Sequence, residues 1–321
     1  MNIDEMSKKI EALGIVPVVK LDDAEDAVPL AKALIAGGLP VAEITFRTAA
    51  AEESIKRISQ ACPEMLVGAG TVLSIDQVEK AIGAGAKFIV TPGFNAKVVG
   101  YCIEKGYPVY PGCPTTSDME AALEMGLKVV KFFPAEAMGG LAVIKAVAAP
   151  YGALRFMPTG GVNEKNLLDY LGFDKIVACG GSWMVDAKAI AAKDFGKIEE
   201  LTRSAVNKML GFEIKHIGIN CENADEAMKV AKQYSAIFGW AVKDGNSSTF
   251  AGTAVEAMKS PYLGKNGHIA VATTSVLRAK AYLEGQGFAF DESTAKYKGA
   301  KLNAIYLKGE IGGFAIHLLQ K

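Results

Sequence analysis

A lysine inside an apolar segment is the residue of this sequence best suited to covalent chemistry. Lys131 lies in VVKFFPA, residues 129–135, with Val130 and Phe132 on either side. Burial disfavours the charged form of a lysine, and an uncharged amine can attack a carbonyl carbon to form a Schiff base. The segment equally allows a structural lysine that pairs with a carboxylate or extends into solvent. The rest of the chain has to separate these alternatives.

A carboxylate and a guanidinium alternate along a second apolar segment, VAEITFR, which begins at Val41. If this segment is a strand, its alternation places Glu43, Thr45 and Arg47 on one face. A glutamate beside a reactive lysine can transfer protons, and an arginine can hold a substrate carboxylate by a charge-assisted hydrogen bond. The alternative is that Glu43 and Arg47 form a structural ion pair.

Two glycine-rich turns follow apolar segments further along the chain, PTGG at residues 158–161 and GGS at residues 180–182. Bare backbone N–H groups in such loops can approach an anion closely, so the two loops predict a phosphate site. The alternative is that the glycines only permit tight turns. That explanation is adequate for one loop and weaker for two loops at successive strand ends.

The elements that would position these residues are eight short apolar, β-branched runs within residues 14–182. Segments with helical apolar spacing separate most of them, for example residues 24–36 and 76–84. Eight alternations in about 200 residues predict an α/β fold, a small (β/α)8 TIM barrel, whose strand ends carry the active site. A doubly wound open sheet is the alternative, but no GxGxxG follows the first run. The eight runs are GIVPVVK, VAEITFR, LVGAGTV, FIVTPG, YPVYPGC, VVKFFPA, RFMPTGG and IVACGGS.

Composition excludes several classes of protein. The 321 residues include 35 basic and 35 acidic side chains, so no charge excess indicates binding to nucleic acid or to a membrane surface. No apolar run is long enough to span a bilayer, and the N-terminal MNIDEMSKKIEAL is not typical of a signal peptide. Five scattered cysteines without a CxxC pair argue against disulfides and against a cysteine zinc site, and they favour a cytoplasmic location.

Six of these motifs occur in a characteristic order, namely EITFRT, VGAGTV, TPG, KFFPAE, PTGG and GGSW. The pattern, over about residues 3–208, resembles the 2-keto-3-deoxy-6-phosphogluconate (KDPG) aldolase family, whose members often also cleave 4-hydroxy-2-oxoglutarate (KHG). The resemblance implies a class I aldolase on a homotrimeric barrel, residues 1–210, which uses a small-molecule substrate and no metal. It implies cleavage of KDPG to pyruvate and glyceraldehyde 3-phosphate, a step of the Entner-Doudoroff pathway. KHG and the 6-phosphogalactonate analogue stay open as alternative substrates.

The resemblance also implies roles for individual residues. Lys131 would form the Schiff base and Glu43 would be the general acid/base. Phe133, which strand alternation places on the face of Lys131, would pack beside the lysine. The pyruvate-carboxylate end of the substrate would meet Arg47, Thr71 and Pro92. The phosphate end would meet Thr159, Gly160, Gly161, Gly181 and Ser182. Cys113 departs from the family, which more often has an aliphatic residue there, and this leaves substrate preference open.

The last third of the chain, residues 211–321, contains an internal repeat. HIGIN at His216 and HIAVA at His268 each precede a helical segment and then two or three strand-like runs. Each copy therefore predicts a β-α-β-β-β module, and two copies make an α+β domain of about 110 residues. This layout resembles the vicinal-oxygen-chelate superfamily, which includes glyoxalase I and the bleomycin-resistance proteins.

In metal-binding members of that superfamily, each module contributes one ligand from its first strand and one from its last. At the matching positions this chain has His216, Glu256, His268 and His317, which account for all three of its histidines. The resemblance therefore implies a possible divalent metal in the C-terminal domain. Three interpretations stay open: an aldolase with an accessory domain, a main activity in a metal-dependent C-terminal domain, and a C-terminal module for sensing or oligomerisation.

Overall fold

The computed structural model describes all residues, 1–321, and divides them into two compact units, Met1–Met209 and Leu210–Lys321. None of the helices has the length and apolar character that a membrane span requires.

Eight short parallel strands alternate with helices in the first unit. All eight strands lie within the runs expected from the sequence. The strands are β1 (Ile15–Val19), β2 (Val41–Thr45), β3 (Leu66–Gly70), β4 (Ile89–Val90), β5 (Val109–Tyr110), β6 (Val129–Phe132), β7 (Arg155–Pro158) and β8 (Cys179–Gly181). The helices are α1 (Ile3–Leu13), α2 (Ala27–Ala36), α3 (Ala51–Ala61), α4 (Ile75–Gly83), α5 (Ala96–Glu104), α6 (Thr116–Glu124), α7 (Gly140–Ala148), α8 (Leu167–Leu171), α9 (Ala187–Ala191) and α10 (Phe195–Leu210).

The strands pair in parallel and largely in chain order. One sheet has the order β5-β4-β3-β2-β1-β8, and β6 pairs with β7 in a second sheet. Single bridges, Gly112 with Lys131 and Thr159 with Gly180, join the two sheets, so each strand has a neighbour on both sides. Because all strands run the same way, their carboxyl ends lie at one end of the unit, where the loops can form a shared site.

Strand burial explains why these sequences form the centre of the unit. Every residue of β2 is buried, as are the β-branched and aromatic residues of β4, β5 and β6. Near-continuous apolar strands are typical of parallel sheets that are covered on both faces. Helix α1 begins with a capping box formed by Asn2 and Glu5. Glu11 of the same helix forms a bidentate ion pair with Arg155 at the start of β7.

The second unit is a single sheet with two helices. Its first half contains β9 (Glu213–Asn220), α11 (Ala224–Phe238), β10 (Val242–Asp244), β11 (Ser248–Ala251) and β12 (Val255–Met258). Its second half contains β13 (Gly267–Thr273), α12 (Val276–Gly285), β14 (Phe290–Lys298), β15 (Lys301–Ile311) and β16 (Phe314–Gln320). Both halves thus have the order β-α-β-β-β. The short strand β10 was not among the runs expected from the sequence.

Strand order places the first and last strand of each half at the centre of this sheet. The order is β10-β11-β12-β9-β13-β16-β15-β14, with β9 and β13 antiparallel at the middle. Strand β12 is parallel to β9, and β16 is parallel to β13. The four strands that carry the three histidines and Glu256 are therefore immediate neighbours.

Candidate active site and candidate metal centre

Lys131 and Glu43 form a buried pair in the first unit. The Lys131 Nζ atom lies 3.2 Å from Glu43 Oε1, although 88 positions separate the residues in the chain. Only 5% of Lys131 and 2% of Glu43 is exposed, so neither group is an ordinary surface charge. A buried amine and a carboxylate at this distance can exchange a proton directly.

Backbone hydrogen bonds and an aromatic ring hold Lys131 in place. Its N–H donates to Pro111 O, and its carbonyl accepts from the N–H of Cys113, both at 2.8 Å. The Nζ atom lies 5.4 Å from the centroid of the Phe133 ring. Phe133 thus lies beside the amine, as the strand alternation predicted.

Arg47 and Glu43 do not form the structural ion pair that the sequence left open. The carboxylate of Glu43 pairs with Lys131, whereas Arg47 is exposed just beyond β2 and makes no ion pair. Its Nε donates to Thr45 Oγ1 at 3.1 Å, and that hydroxyl donates to Val19 O at 2.8 Å. The guanidinium therefore keeps donors for a ligand carboxylate.

Two further residues of the predicted carboxylate end follow neighbouring strands. Thr71 comes directly after β3 with a φ of 54°, in the left-handed region that non-glycine residues rarely adopt. Pro92 comes two residues after β4 and is partly buried, and the Thr91 hydroxyl donates to Gly93 O across it. Both therefore follow the carboxyl ends of strands in the same parallel sheet as β2, which carries Glu43.

The two glycine-rich turns lie at the ends of β7 and β8. Gly160 and Gly161 have φ values of 97° and 85°, which glycine adopts without strain. Thr159 is buried and bridges to Gly180, whereas Ser182 is exposed one residue beyond β8, after Gly181. The two turns are thereby adjacent, as a shared anion site requires.

Glu136 is a residue near these turns that the sequence interpretation did not single out. Its N–H donates to Gly160 O at 3.0 Å, and its carboxylate accepts a hydrogen bond from the Tyr170 hydroxyl. A β-carbon on Gly161 would lie 2.5 Å from Glu136 Cγ. Glu136 is the last residue of the motif KFFPAE, and this position could have identified it as a candidate site residue.

Cys113, the departure from the resembled family, is fully buried. Burial raises the pKa of its thiol to about 12, so the side chain stays neutral. A neutral buried thiol packs much as a small apolar side chain does.

In the second unit, the four predicted metal ligands converge. Ligand atoms of His216, His268 and His317 lie within 4.8 Å of one another. Glu256 Oε2 lies 3.0 Å from His216 Nε2 and 3.2 Å from His268 Nε2. The sheet thus brings together side chains that lie far apart in the sequence.

Strand register explains the convergence. Glu256, Gly218 and His268 occupy one row across β12, β9 and β13. Gly218 in the middle of that row leaves the space that the His268 ring fills, since a β-carbon there would lie 2.0 Å from His268 Cε1. A small central residue therefore lets the two outer side chains of the row meet.

The second row places three more aromatic side chains beside the first. His216, Ala270 and His317 occupy it across β9, β13 and β16, and Tyr306 of β15 is the next partner of His317. The sequence interpretation missed both Tyr306 and Gly218, because their importance depends on register.

Electrostatics in this cluster favour the forms that bind a cation. Burial raises the pKa of Glu256, but hydrogen bonds with His216, His268 and Ser248 outweigh it, so the pKa is well below its usual range. Burial, followed by the neighbouring histidines, lowers the pKa of His317 to about 3. The carboxylate is thus charged and His317 is neutral at pH 7.

Several buried polar atoms of the cluster have no hydrogen-bond partner. His268 Nδ1 and both ring nitrogens of His317 are buried without a hydrogen-bond partner, which is costly in a folded protein. Ser248 Oγ donates to Glu256 Oε1 at 2.6 Å and leaves Oε2 facing the imidazoles. Three imidazoles and a carboxylate fit a divalent metal such as zinc, nickel or iron.

Comparison with known proteins covers the first unit. The family described as KDPG and KHG aldolase matches residues 6–201. The 2-dehydro-3-deoxy-phosphogluconate aldolase of Treponema pallidum is 50% identical over 197 residues, 61% of this chain and 94% of that protein. The KHG/KDPG aldolase of Escherichia coli K12 is 43% identical over 192 residues, 60% of this chain and 90% of that protein.

Solved structures agree with the sequence relatives. KDPG aldolase from Legionella pneumophila, with pyruvate captured as a covalent carbinolamine intermediate, has a TM-score of 0.60 and 36% identity. It covers 62% of this chain and 97% of its own. The Zymomonas mobilis enzyme has the same TM-score with 38% identity over 64% of this chain and 96% of its own.

These relatives, with the parallel α/β fold, define the chain as an aldolase, a lyase. It belongs to the KDPG and KHG aldolase family. The match ends at residue 201, so the glyoxalase-like interpretation of the second unit rests on its layout alone.

Proposed function

We propose that the first unit is a class I aldolase that cleaves KDPG to pyruvate and glyceraldehyde 3-phosphate through a Schiff base on Lys131. The observation that carries the proposal is the buried contact, 3.2 Å long, between Lys131 Nζ and Glu43 Oε1. Relatives with the matching name and 43–50% identity support the substrate.

Lys131 and Glu43 have separate roles in the reaction. The Lys131 amine attacks the C2 ketone, and loss of water leaves a protonated imine. Glu43 then takes the proton of the C4 hydroxyl, the C3–C4 bond breaks, and its electrons move into the imine as glyceraldehyde 3-phosphate leaves. Return of a proton to C3 gives the imine of pyruvate, which water hydrolyses to free the lysine.

The remaining predicted residues would hold the two ends of the substrate. Arg47, Thr71 and Pro92 are assigned to the carboxylate, since the exposed guanidinium offers charge-assisted donors. The phosphate is assigned to the turns after β7 and β8, because their backbone N–H groups can approach it closely. The residues of that end are Thr159, Gly160, Gly161, Gly181 and Ser182.

The ring of strand neighbours supports a closed (β/α)8 barrel for the first unit. Cleavage of KHG or of the 6-phosphogalactonate analogue and the homotrimer follow from the family resemblance, and the cytoplasmic location follows from the scattered cysteines.

Trapping the intermediate tests the proposal. Incubation with pyruvate and borohydride is expected to add one reduced pyruvate per chain, and peptide mapping should place it on Lys131. The Lys131→Arg variant is the matched control and should take up none. An adduct on another residue, or none on the active wild-type protein, would contradict the mechanism.

We further propose that the second unit binds one divalent metal through His216, Glu256, His268 and His317. The convergence of these groups, together with the unpaired ring nitrogens of His268 and His317, supports the proposal. Metal analysis of the purified protein should find close to one zinc, nickel or iron per chain, lost in the His216→Ala/His268→Ala variant. A metal-free wild type would leave this unit a role in sensing or oligomerisation.

A further inference from the structure

Strand β3 contains two glycines on the face that neighbours Glu43. Glu43 is the register partner of Gly68, and Thr45 is the partner of Gly70. Neither glycine has a positive φ, so their backbone conformations are open to other residues. The reason for glycine at these positions is therefore the space that a side chain would occupy.

Different groups fill the two spaces. At Gly68, a β-carbon would lie 2.3 Å from the ring of Phe88, an apolar core residue. At Gly70, it would lie 2.1 Å from Glu43 Oε1, 2.5 Å from Cγ and 2.6 Å from Cδ. The missing side chain of Gly70 thus makes room for the carboxylate that contacts Lys131.

Neither partner of this contact can move aside freely. The Gly70 carbonyl accepts a hydrogen bond of 2.8 Å from the N–H of Phe46, which ties β3 to the chain after β2. The Glu43 side chain is almost fully buried, and leaving its place would remove its ion pair with Lys131. Stranding a buried carboxylate without its partner is strongly unfavourable.

We propose that Gly70 is a positioning residue for proton transfer, which acts by leaving the space that aims the Glu43 carboxylate at Lys131. This inference rests on the proposed aldolase function. It predicts that a methyl group at position 70 impairs the proton-transfer steps that use Glu43.

A double-mutant cycle tests the proposal with full-length protein and KDPG as substrate. Gly70→Ala should lower kcat by about 10- to 100-fold, the usual result of displacing a reacting group by about 1 Å. In the Glu43→Gln background the same change should alter kcat less than about threefold, because residues that act through one another are not additive. Equal losses in both backgrounds would overturn the proposal.

Thermal stability gives a second readout that does not depend on activity. Gly70→Ala should lower the Tm, and Glu43→Ala should suppress that loss by vacating the contested space. Gly68→Ala is the matched control, since its clash is with Phe88 and should persist in the Glu43→Ala background. If Gly70→Ala fails to fold and Gly70→Ala/Glu43→Ala also fails, the proposal is overturned.

The two proposals fail in different ways. A wild-type protein that releases no pyruvate from KDPG removes the aldolase function. An active wild type whose Gly70→Ala loss is the same with and without Glu43 removes only the inference about Gly70.

Discussion

Tyr306 and His317 lie side by side on neighbouring strands with their rings stacked. The ring centroids are 4.6 Å apart and the planes differ by 15°. The stack fixes the plane of an imidazole whose two nitrogens have no hydrogen-bond partner in the protein. In the proposed metal site, Tyr306 would take the place of the hydrogen bond that usually orients a ligating histidine.

Removing that stack should weaken metal binding without removing a ligand. Tyr306→Ala is expected to raise the Kd for zinc by about 10- to 100-fold, as the loss of an orienting partner does. Tyr306→Phe keeps the ring and should bind as the wild type does. Competition with a chelator of known affinity measures both. Equal affinity in all three proteins would show that the stack does not orient His317.

A methyl group at Gly218 should abolish metal binding. The added carbon would lie 2.0 Å from His268 Cε1 and would push the ring away from Glu256. Metal content of Gly218→Ala should fall close to zero, while Gly285→Ala, where a β-carbon meets nothing within 4 Å, should keep its metal. A fully loaded Gly218→Ala protein would show that His268 is not a ligand.

Glu43→Gln should reduce kcat for KDPG by about two to four orders of magnitude, the usual contribution of a general acid/base. The amide cannot accept the proton of the C4 hydroxyl. Initial rates of pyruvate release give the number, and circular dichroism checks the fold. Turnover near that of the wild type would remove Glu43 from proton transfer.

Ser182→Ala should act on binding of the phosphorylated substrate. Ser182 follows the second glycine-rich turn and is exposed, so its hydroxyl is free to meet a phosphate oxygen. KM for KDPG should rise severalfold with kcat nearly unchanged, and the constants for unphosphorylated KHG should stay the same. A matching rise in KM for KHG would place Ser182 away from the phosphate.

Alkaline pH should destabilise the protein through Cys113. Burial raises the thiol pKa to about 12, so the folded state keeps a proton that the unfolded chain releases above its ordinary pKa near 9. Below pH 9 both states keep the proton and this thiol does not change the free energy of unfolding. Above pH 9 it lowers the free energy of unfolding by up to about 1.4 kcal/mol per pH unit. Urea unfolding at pH 8 and pH 10 should show a smaller drop for Cys113→Ala than for the wild type.

The eight strand positions of the first unit could be predicted because the runs are short and rich in apolar residues, and many of them end in Gly, Pro, Thr or Ser. The missed strand, β10, shows the limit of that reasoning. Val242–Asp244 has three residues, two of them charged, and it becomes a strand only by pairing with β11. Tertiary pairing, rather than local propensity, forms such elements.

The candidate sites likewise contain residues that the sequence could identify and residues that it could not. Lys131 and Glu43 stand out by type, because charged residues are rare inside apolar runs. Their contact depends on strands that are far apart in sequence, so only the family resemblance could link them. Gly70, Gly218 and Tyr306 carry no chemical signal at all, since each matters through the side chain that happens to lie against it.

The tandem arrangement of the two β-α-β-β-β halves has a consequence for what their shared cluster can become. A pair of identical halves on separate chains would have to offer the same two groups from each side. Here one half supplies His216 and Glu256, whereas the other supplies His268 and His317. Because both halves belong to one chain, their matching positions can differ, and the last strand of one half carries the carboxylate of Glu256 whereas that of the other carries the imidazole of His317.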